Sequence, residues 1–94
     1  MKDPIETTDI FKAASLLCSN SQLTNVKLID KDTVLFELEG ENISRIEANY
    51  TNGRLLVNPL EFRGKLNMLR DLMFSRLKQG HEIANEPRLT LVRH

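Results

Sequence analysis

The hydrophobic residues of this chain recur at two different spacings, which predict one long helix and a pair of strands. After residue 58, apolar residues return every three or four positions and share a helix face roughly 80° wide. Asn58 has the side chain of a helix cap, and Pro59 fits a first helical turn. Gly80 is typical of a helix stop, so we predict a helix from Asn58 to about Gln79. Its apolar stripe consists of Phe62, Leu66, Leu69, Met73 and Leu77.

Residues 24–38 alternate between apolar and polar positions, as expected for strands with one buried face. A short polar turn at residues 30–32 joins two such runs, so we predict a β-hairpin. The residues predicted to face the core are Thr24, Val26 and Leu28 in the first strand and Val34, Phe36 and Leu38 in the second.

Two shorter helices complete the prediction. The first follows the N-cap residues Thr7-Thr8-Asp9 and ends at residues 19–21, which favour turns. The second follows Gly40 and ends at residues 52–53, Asn-Gly. Residues 1–6 are predicted to be a loose terminus, and residues 54–57 a third strand or an extended connector. The apolar faces of these helices consist of Ile10, Phe11, Ala14, Leu17 and Cys18 in the first and of Ile43, Ile46 and Tyr50 in the second.

These elements predict an α+β fold in the order α-β-β-α-(β)-α, with the helices packed on one face of a small antiparallel sheet. Residues 7–80 would form the single domain. Residues 81–94 are expected to be a C-terminal tail, or to add an edge strand through residues 89–92.

The composition is that of an ordinary globular protein. Apolar residues make up 40% and charged residues 28% of the 94 residues, which argues against disorder. Cys18 is the single cysteine, so an internal disulfide is excluded. The first residues lack an apolar signal segment, and no apolar run approaches the ~20 residues of a membrane span. We therefore expect a cytoplasmic protein that does not enter a membrane.

Acidic and basic residues are unevenly divided along the chain. Residues 1–53 hold five basic and nine acidic residues, whereas residues 54–94 hold eight basic and four acidic ones. Such blocks usually form solvated faces. A basic half can also attract an acidic partner.

The long helix carries a second set of apolar and basic residues, formed by Lys65, Met68, Leu72 and Arg76. One interpretation is that the sheet and another helix cover this helix from two sides. The other is that these four residues bind a protein partner or a second copy of the chain, because methionine suits adaptable interfaces and exposed apolar patches favour association.

Another strip of the same helix is basic and includes Arg63, Arg70 and Lys78, with Asn67 between them. Such a row could contact phosphates, and Arg88 and Arg93 could extend the contact. A solvated helix face has the same composition, and Asp71 interrupts it.

The residues that usually carry catalysis or bind metals are few and scattered. Cys18, His81 and His94 lie far apart in sequence, whereas a zinc site needs about four ligands. Asp30 and Asp32 lack the ligand series of a calcium loop. We therefore expect no catalytic residue, no cofactor, no metal and no small-molecule substrate, and the protein is not predicted to be an enzyme.

Three short runs resemble a family of small domains from bacteria and their phages to which no activity has been assigned. They are Thr-Thr-Asp at residues 7–9 with the helix that follows, the run at residues 49–53, and Val-Asn-Pro at residues 57–59. Phe36 and Tyr50 match the aromatic positions of the hairpin and the second helix. The similarity spans about residues 7–78 and implies the fold and a phage or mobile-element setting, but no function.

The sequence leaves open what the protein binds. The first hypothesis is a non-catalytic interaction protein that binds a protein partner or itself. The alternative is a nucleic-acid-binding accessory protein, or a small subunit of a nucleoprotein complex. A subunit of a larger enzyme that contributes only contacts is a third.

Overall fold

The computed structural model describes the backbone of residues 2–92 and the side chains of residues 2–80. A three-stranded antiparallel sheet is combined with three helices in the order β-α-β-β-α-α, which confirms the α+β class. The elements are β1 (Asp3–Thr7), α1 (Ile10–Leu17), β2 (Ser21–Leu28), β3 (Val34–Gly40), α2 (Ile43–Thr51) and α3 (Pro59–Val92).

The central strand of the sheet is β3, because the strand order is β1-β3-β2. Leu38 of β3 pairs with Ile5 of β1 and with Leu23 of β2. Along β3, every second residue is buried, including Val34 and Phe36, while the residues between them are only partly buried. One face of the sheet therefore packs against the helices and the other carries polar side chains, as the alternation of residues 34–38 predicts.

The third strand of the sheet is β1, so the prediction of a loose terminus at residues 1–6 was wrong. Of the two interpretations of residues 54–57, the structure shows the connector, because these residues do not pair with the sheet. Ile5 is the one large apolar residue in β1, so the segment gives no alternating signal. It becomes a strand because β3 offers an unpaired edge and a buried neighbour, Leu38.

A β-bulge changes which residues of β2 face the core. The register shifts between Leu23 and Asn25, and Thr24 at the shift donates its side-chain hydroxyl to the Glu37 carbonyl at 3.0 Å. A bulge adds one residue to one strand, so the alternation reverses across it. Leu23 therefore shares the helix-covered face with Val26, and the prediction that Thr24 faces the core was wrong.

The cap of α1 is the one the sequence predicts, and it also anchors α2. The Asp9 carboxylate accepts hydrogen bonds from the backbone N–H groups of Phe11 at 2.9 Å and Lys12 at 3.2 Å. Tyr50 of α2 donates its hydroxyl to the same carboxylate at 3.3 Å. An ion pair between Lys12 and Glu47 adds a second link between the two helices.

The hydrophobic core lies between the covered face of the sheet and the helices. The stripe of α3 packs against it: Leu69 is fully buried, and the other four stripe residues are partly buried against the same cluster. α1 differs from its prediction, because Phe11 is half exposed while its neighbours toward the helix end are buried. The fully buried core residues are Ala13, Ala14, Leu16, Phe36, Leu38, Ile43 and Leu69.

The long helix begins as predicted but does not end at Gly80. Asn58 caps it by accepting from the N–H groups of Leu60 at 2.9 Å and Glu61 at 3.1 Å. The helix then continues through Gly80 to Val92, over residues where a loop, a tail or an edge strand was expected.

Gly80 serves the packing of α3 against β2. A Cβ atom at this position would overlap the Leu28 Cδ2 atom. The missing side chain thus lets the helix approach the end of β2, which is a different use of glycine from a helix stop.

Candidate interaction surface

Three large apolar side chains point outward from α3. Leu60 is 75% exposed, Phe74 60% and Met68 40%. At about 100° per residue, all three fall on the half of the helix that faces away from the buried Leu69. We call these three residues the outward half of α3. These three side chains are not part of the stripe that packs into the core, so they remain exposed in the folded protein.

The structure separates the four residues predicted to bind a partner. Met68 belongs to the outward half of α3, as described above. Leu72 is half-buried and packs against the hydrophobic core, so it contributes to folding. Lys65 is also half-buried, and its charge acts on Cys18 at the end of α1. The interpretation that neighbouring elements cover this side of the helix therefore holds for Leu72.

Arg76, the fourth of these residues, lies at a groove between α3 and β2. The groove has a volume of about 350 Å³ and is lined by residues 25–28 of β2 and by Arg76, Gln79 and Gly80 of α3. Arg76 is exposed, and its guanidinium donates to Gln79 Oε1 at 3.3 Å. This groove could not be predicted from the sequence, because it depends on how closely α3 approaches the sheet edge.

The basic strip is present on the surface of α3. Arg63, Arg70 and Lys78 are all exposed. Helical geometry places Phe74 within the same strip, about 80° wide, so an exposed aromatic ring accompanies the three cations. Arg88 falls in the part of α3 whose side chains are not described, and Arg93 lies outside the described residues.

Cys18 has the character of a structural thiol. It is half-buried and forms the C-cap of α1. Burial raises the pKa of its thiol, the Glu61 carboxylate raises that pKa further, and the Lys65 ammonium lowers it. A raised pKa keeps the thiol protonated near neutral pH, where the thiolate would be the nucleophile.

Within the described residues, no group of three or more histidine, cysteine, aspartate or glutamate side chains is placed to hold a metal ion. Over the same part of the chain, no helix combines the length and the apolar character that crossing a membrane requires. The side chain of His81 is not described, and His94 lies outside the described residues.

Some exposed apolar residues were missed by sequence reasoning. Leu60 was not predicted to be exposed, and Phe11 was assigned to a buried face. Phe74 was not among the residues predicted to bind a partner. Its distance of one residue from Met73 gives the signal that could have identified it, since adjacent helix residues point about 100° apart.

Comparison of the chain with protein-family models, with curated proteins and with solved structures gives no match.

Proposed function

We propose that this chain is a small non-catalytic interaction protein that binds a protein partner, or a second copy of itself, through the outward half of α3. The observation that carries the proposal is the exposure of Leu60, Met68 and Phe74 on a helix whose core stripe is complete without them. Apolar patches that folding leaves exposed typically mark association surfaces.

The neighbouring charges indicate the kind of partner. Arg63 and Arg70 are exposed, and both precede Phe74 on the same strip of the helix, Arg70 by about one turn. An aromatic anchor with arginine around it is typical of protein interfaces, where such residues contribute much of the binding energy. A partner with an apolar pocket and an acidic rim would complement this surface.

The biological setting in the proposal is a phage or mobile element, with the protein in the cytoplasm. It is supported by the resemblance of residues 7–78 to small phage and bacterial domains. A binding module of this size fits that setting, since it needs no catalytic machinery of its own.

The test compares Phe74→Ser and Met68→Ser with Leu56→Ser as a matched control. Leu56 is 92% exposed but lies in the connector before α3, so its substitution removes a similar apolar area elsewhere. Sedimentation velocity over a range of concentrations measures self-association, and quantitative affinity capture from the native host measures partner binding. We expect both α3 variants to lose the association and the control to keep it.

Equal behaviour of all four proteins would overturn the proposal. Circular dichroism should first establish that the variants are folded, which we expect because both α3 side chains are exposed. Leu72 is unsuitable for this test, because a polar residue there would disturb the core.

The second candidate function is nucleic-acid binding by the basic strip. The observation that favours it is the exposed Phe74 among Arg63, Arg70 and Lys78, because single-stranded nucleic acids bind to cationic tracks with aromatic rings that stack on bases. Such a protein would be an accessory factor or a small subunit of a nucleoprotein complex.

Salt dependence distinguishes this candidate from protein binding. Binding of a labelled single-stranded oligonucleotide should weaken steeply as salt rises, and Arg63→Gln should reduce the slope by about one ion. Absence of binding at low salt would remove this candidate and leave the protein-binding proposal in place.

A further inference from the structure

The outer edge of β2 is the longer of the two open sheet edges. β2 has eight residues, whereas β1 has five and includes Pro4, which has no N–H group to offer another strand. Sheet edges carry backbone groups without a strand partner, and such edges accept additional strands. Of the two edges, β2 is therefore the better template.

The hydrogen bonds of the hairpin show which groups of β2 point outward. The Ile29 N–H donates to the Thr33 carbonyl at 3.0 Å, just beyond the last ladder pair. Antiparallel ladders alternate between bonded and non-bonded pairs. Lys27 therefore bonds toward β3, while Val26 and Leu28 direct their N–H and C=O groups to the outer edge.

One of these outward groups already has a substitute acceptor. The Val26 N–H donates to the Asn25 side-chain oxygen at 2.9 Å. An amide oxygen of a side chain thus occupies the position that the carbonyl of an added strand would take. This hydrogen bond confirms that the Val26 N–H points away from β3, as the Ile29 hydrogen bond implies.

The groove beside this edge supplies the other elements of a peptide site. In this groove, the helix comes close to the strand where Gly80 faces Leu28. The polar groups that α3 contributes to the groove are those of Arg76 and Gln79. No carboxylate lines it. Within the described residues, the Arg76 guanidinium bonds to Gln79 and to no acidic group. Among the described residues, the groove therefore places the Arg76 guanidinium next to backbone groups that have no strand partner.

We infer that the groove between β2 and α3 binds an extended acidic peptide segment of a partner protein as a fourth strand. Backbone groups of Val26 and Leu28 pair with the peptide, and the Arg76 guanidinium binds one of its carboxylates. Addition of a strand to an exposed edge is an established mode of peptide recognition. The inference is independent of the outward half of α3, which involves other residues.

The test uses a dye-labelled peptide that alternates valine and threonine around one central glutamate, with a lysine peptide of the same pattern for comparison. Fluorescence anisotropy measures affinity. We expect the glutamate peptide to bind and the lysine peptide to bind at least tenfold more weakly, because the Arg76 guanidinium attracts a carboxylate and repels an ammonium group.

Two peptides with N-methyl groups on alternate amides test the strand geometry. The set that blocks the amides facing β2 should abolish binding, and the other set should leave it unchanged, because only alternate groups of a strand face one neighbour. Amide chemical-shift changes in the protein should be confined to residues 25–28 and 76–80.

Arg76→Gln should weaken the glutamate peptide about tenfold. Arg45→Gln is the matched control, since Arg45 is exposed on α2 and lies outside the groove. Failure of the glutamate peptide to bind at millimolar concentration, equal binding of the lysine peptide, or an unchanged affinity of Arg76→Gln would each overturn the inference. A concentration-dependent dimer with shifts at the same amides would show a second copy as the occupant and would also overturn it.

Discussion

The two glycines of α3 allow a direct test of how the helix meets the sheet. Both lie inside a helix, where glycine is less favourable than alanine by about 1 kcal/mol. A Cβ at Gly64 would meet nothing within 4 Å, whereas one at Gly80 would overlap Leu28 Cδ2 and lie 3.8 Å from its Cγ. The same substitution should therefore have opposite effects at the two positions.

Gly64→Ala should stabilise the protein by about 1 kcal/mol, which corresponds to a rise in Tm of about 4–8 °C for a domain of this size. Gly80→Ala has the same helix gain, but Leu28 must rotate away and lose its packing. Overpacking of this kind costs about 1–3 kcal/mol, so the net effect should be a loss of about 1 kcal/mol.

Urea unfolding followed by far-ultraviolet circular dichroism measures both effects. The Leu28→Ala background supplies the control, because removal of the Leu28 side chain abolishes the overlap. There, Gly80→Ala should stabilise by about 1 kcal/mol, which gives a coupling of about 2 kcal/mol between the two positions. Equal stabilisation by both alanines in the wild-type background would refute the close approach of α3 to β2.

Three further predictions concern a cap, an ion pair and a thiol. Asp9→Ala should cost about 1–2 kcal/mol in the free energy of unfolding, because it removes a helix cap and the acceptor of the Tyr50 hydroxyl. Glu37→Gln should destabilise the protein at neutral pH but not in acid: the Lys27 ammonium bonds the Glu37 carboxylate and lowers its pKa, so the contribution is present above the unfolded-state pKa and is lost as the pH falls below about 4. Cys18 should react with iodoacetamide more slowly than a free thiol at pH 8, because burial raises the pKa of its thiol.

Each of these has a control and a contrary outcome. Tyr50→Phe keeps the cap and should lose only part of the Asp9→Ala effect; equal losses would assign the whole effect to the hydroxyl. The free energies of unfolding of wild type and Glu37→Gln, measured as a function of pH, should converge in acid. A constant difference between them at all pH values would contradict the ion pair. A Cys18 alkylation rate equal to that of a small thiol would contradict its burial.

The sequence determined the elements that depend on local periodicity and caps. The hairpin strands, the two shorter helices and the start of α3 follow from spacing, from the Asp9 and Asn58 side chains and from turn residues. These signals act over a few residues, so they can be read along the chain. The stripe from Phe62 to Leu77 predicted the core-facing side of α3 for the same reason.

Tertiary structure decided the features that join distant residues. β1 forms because β3 provides a partner for Ile5. The bulge at Thr24 shifts the register of β2, so Leu23 and not Thr24 lies on the helix-covered face. Neither is encoded in a local pattern, since pairing depends on a strand far along the chain. The reading of Gly80 as a stop failed because glycine serves equally for a helix end and for a close approach.

The candidate surfaces divide in the same way. The basic strip and Met68 could be identified from sequence, because helical spacing alone places them. That Leu72 packs against the core and Arg76 lines a groove could not be predicted from spacing, because both depend on the position of β2 beside α3. Local chemistry thus determined which side chains the long helix carries, and packing decided which of them the protein keeps for its own fold and which it presents to a partner.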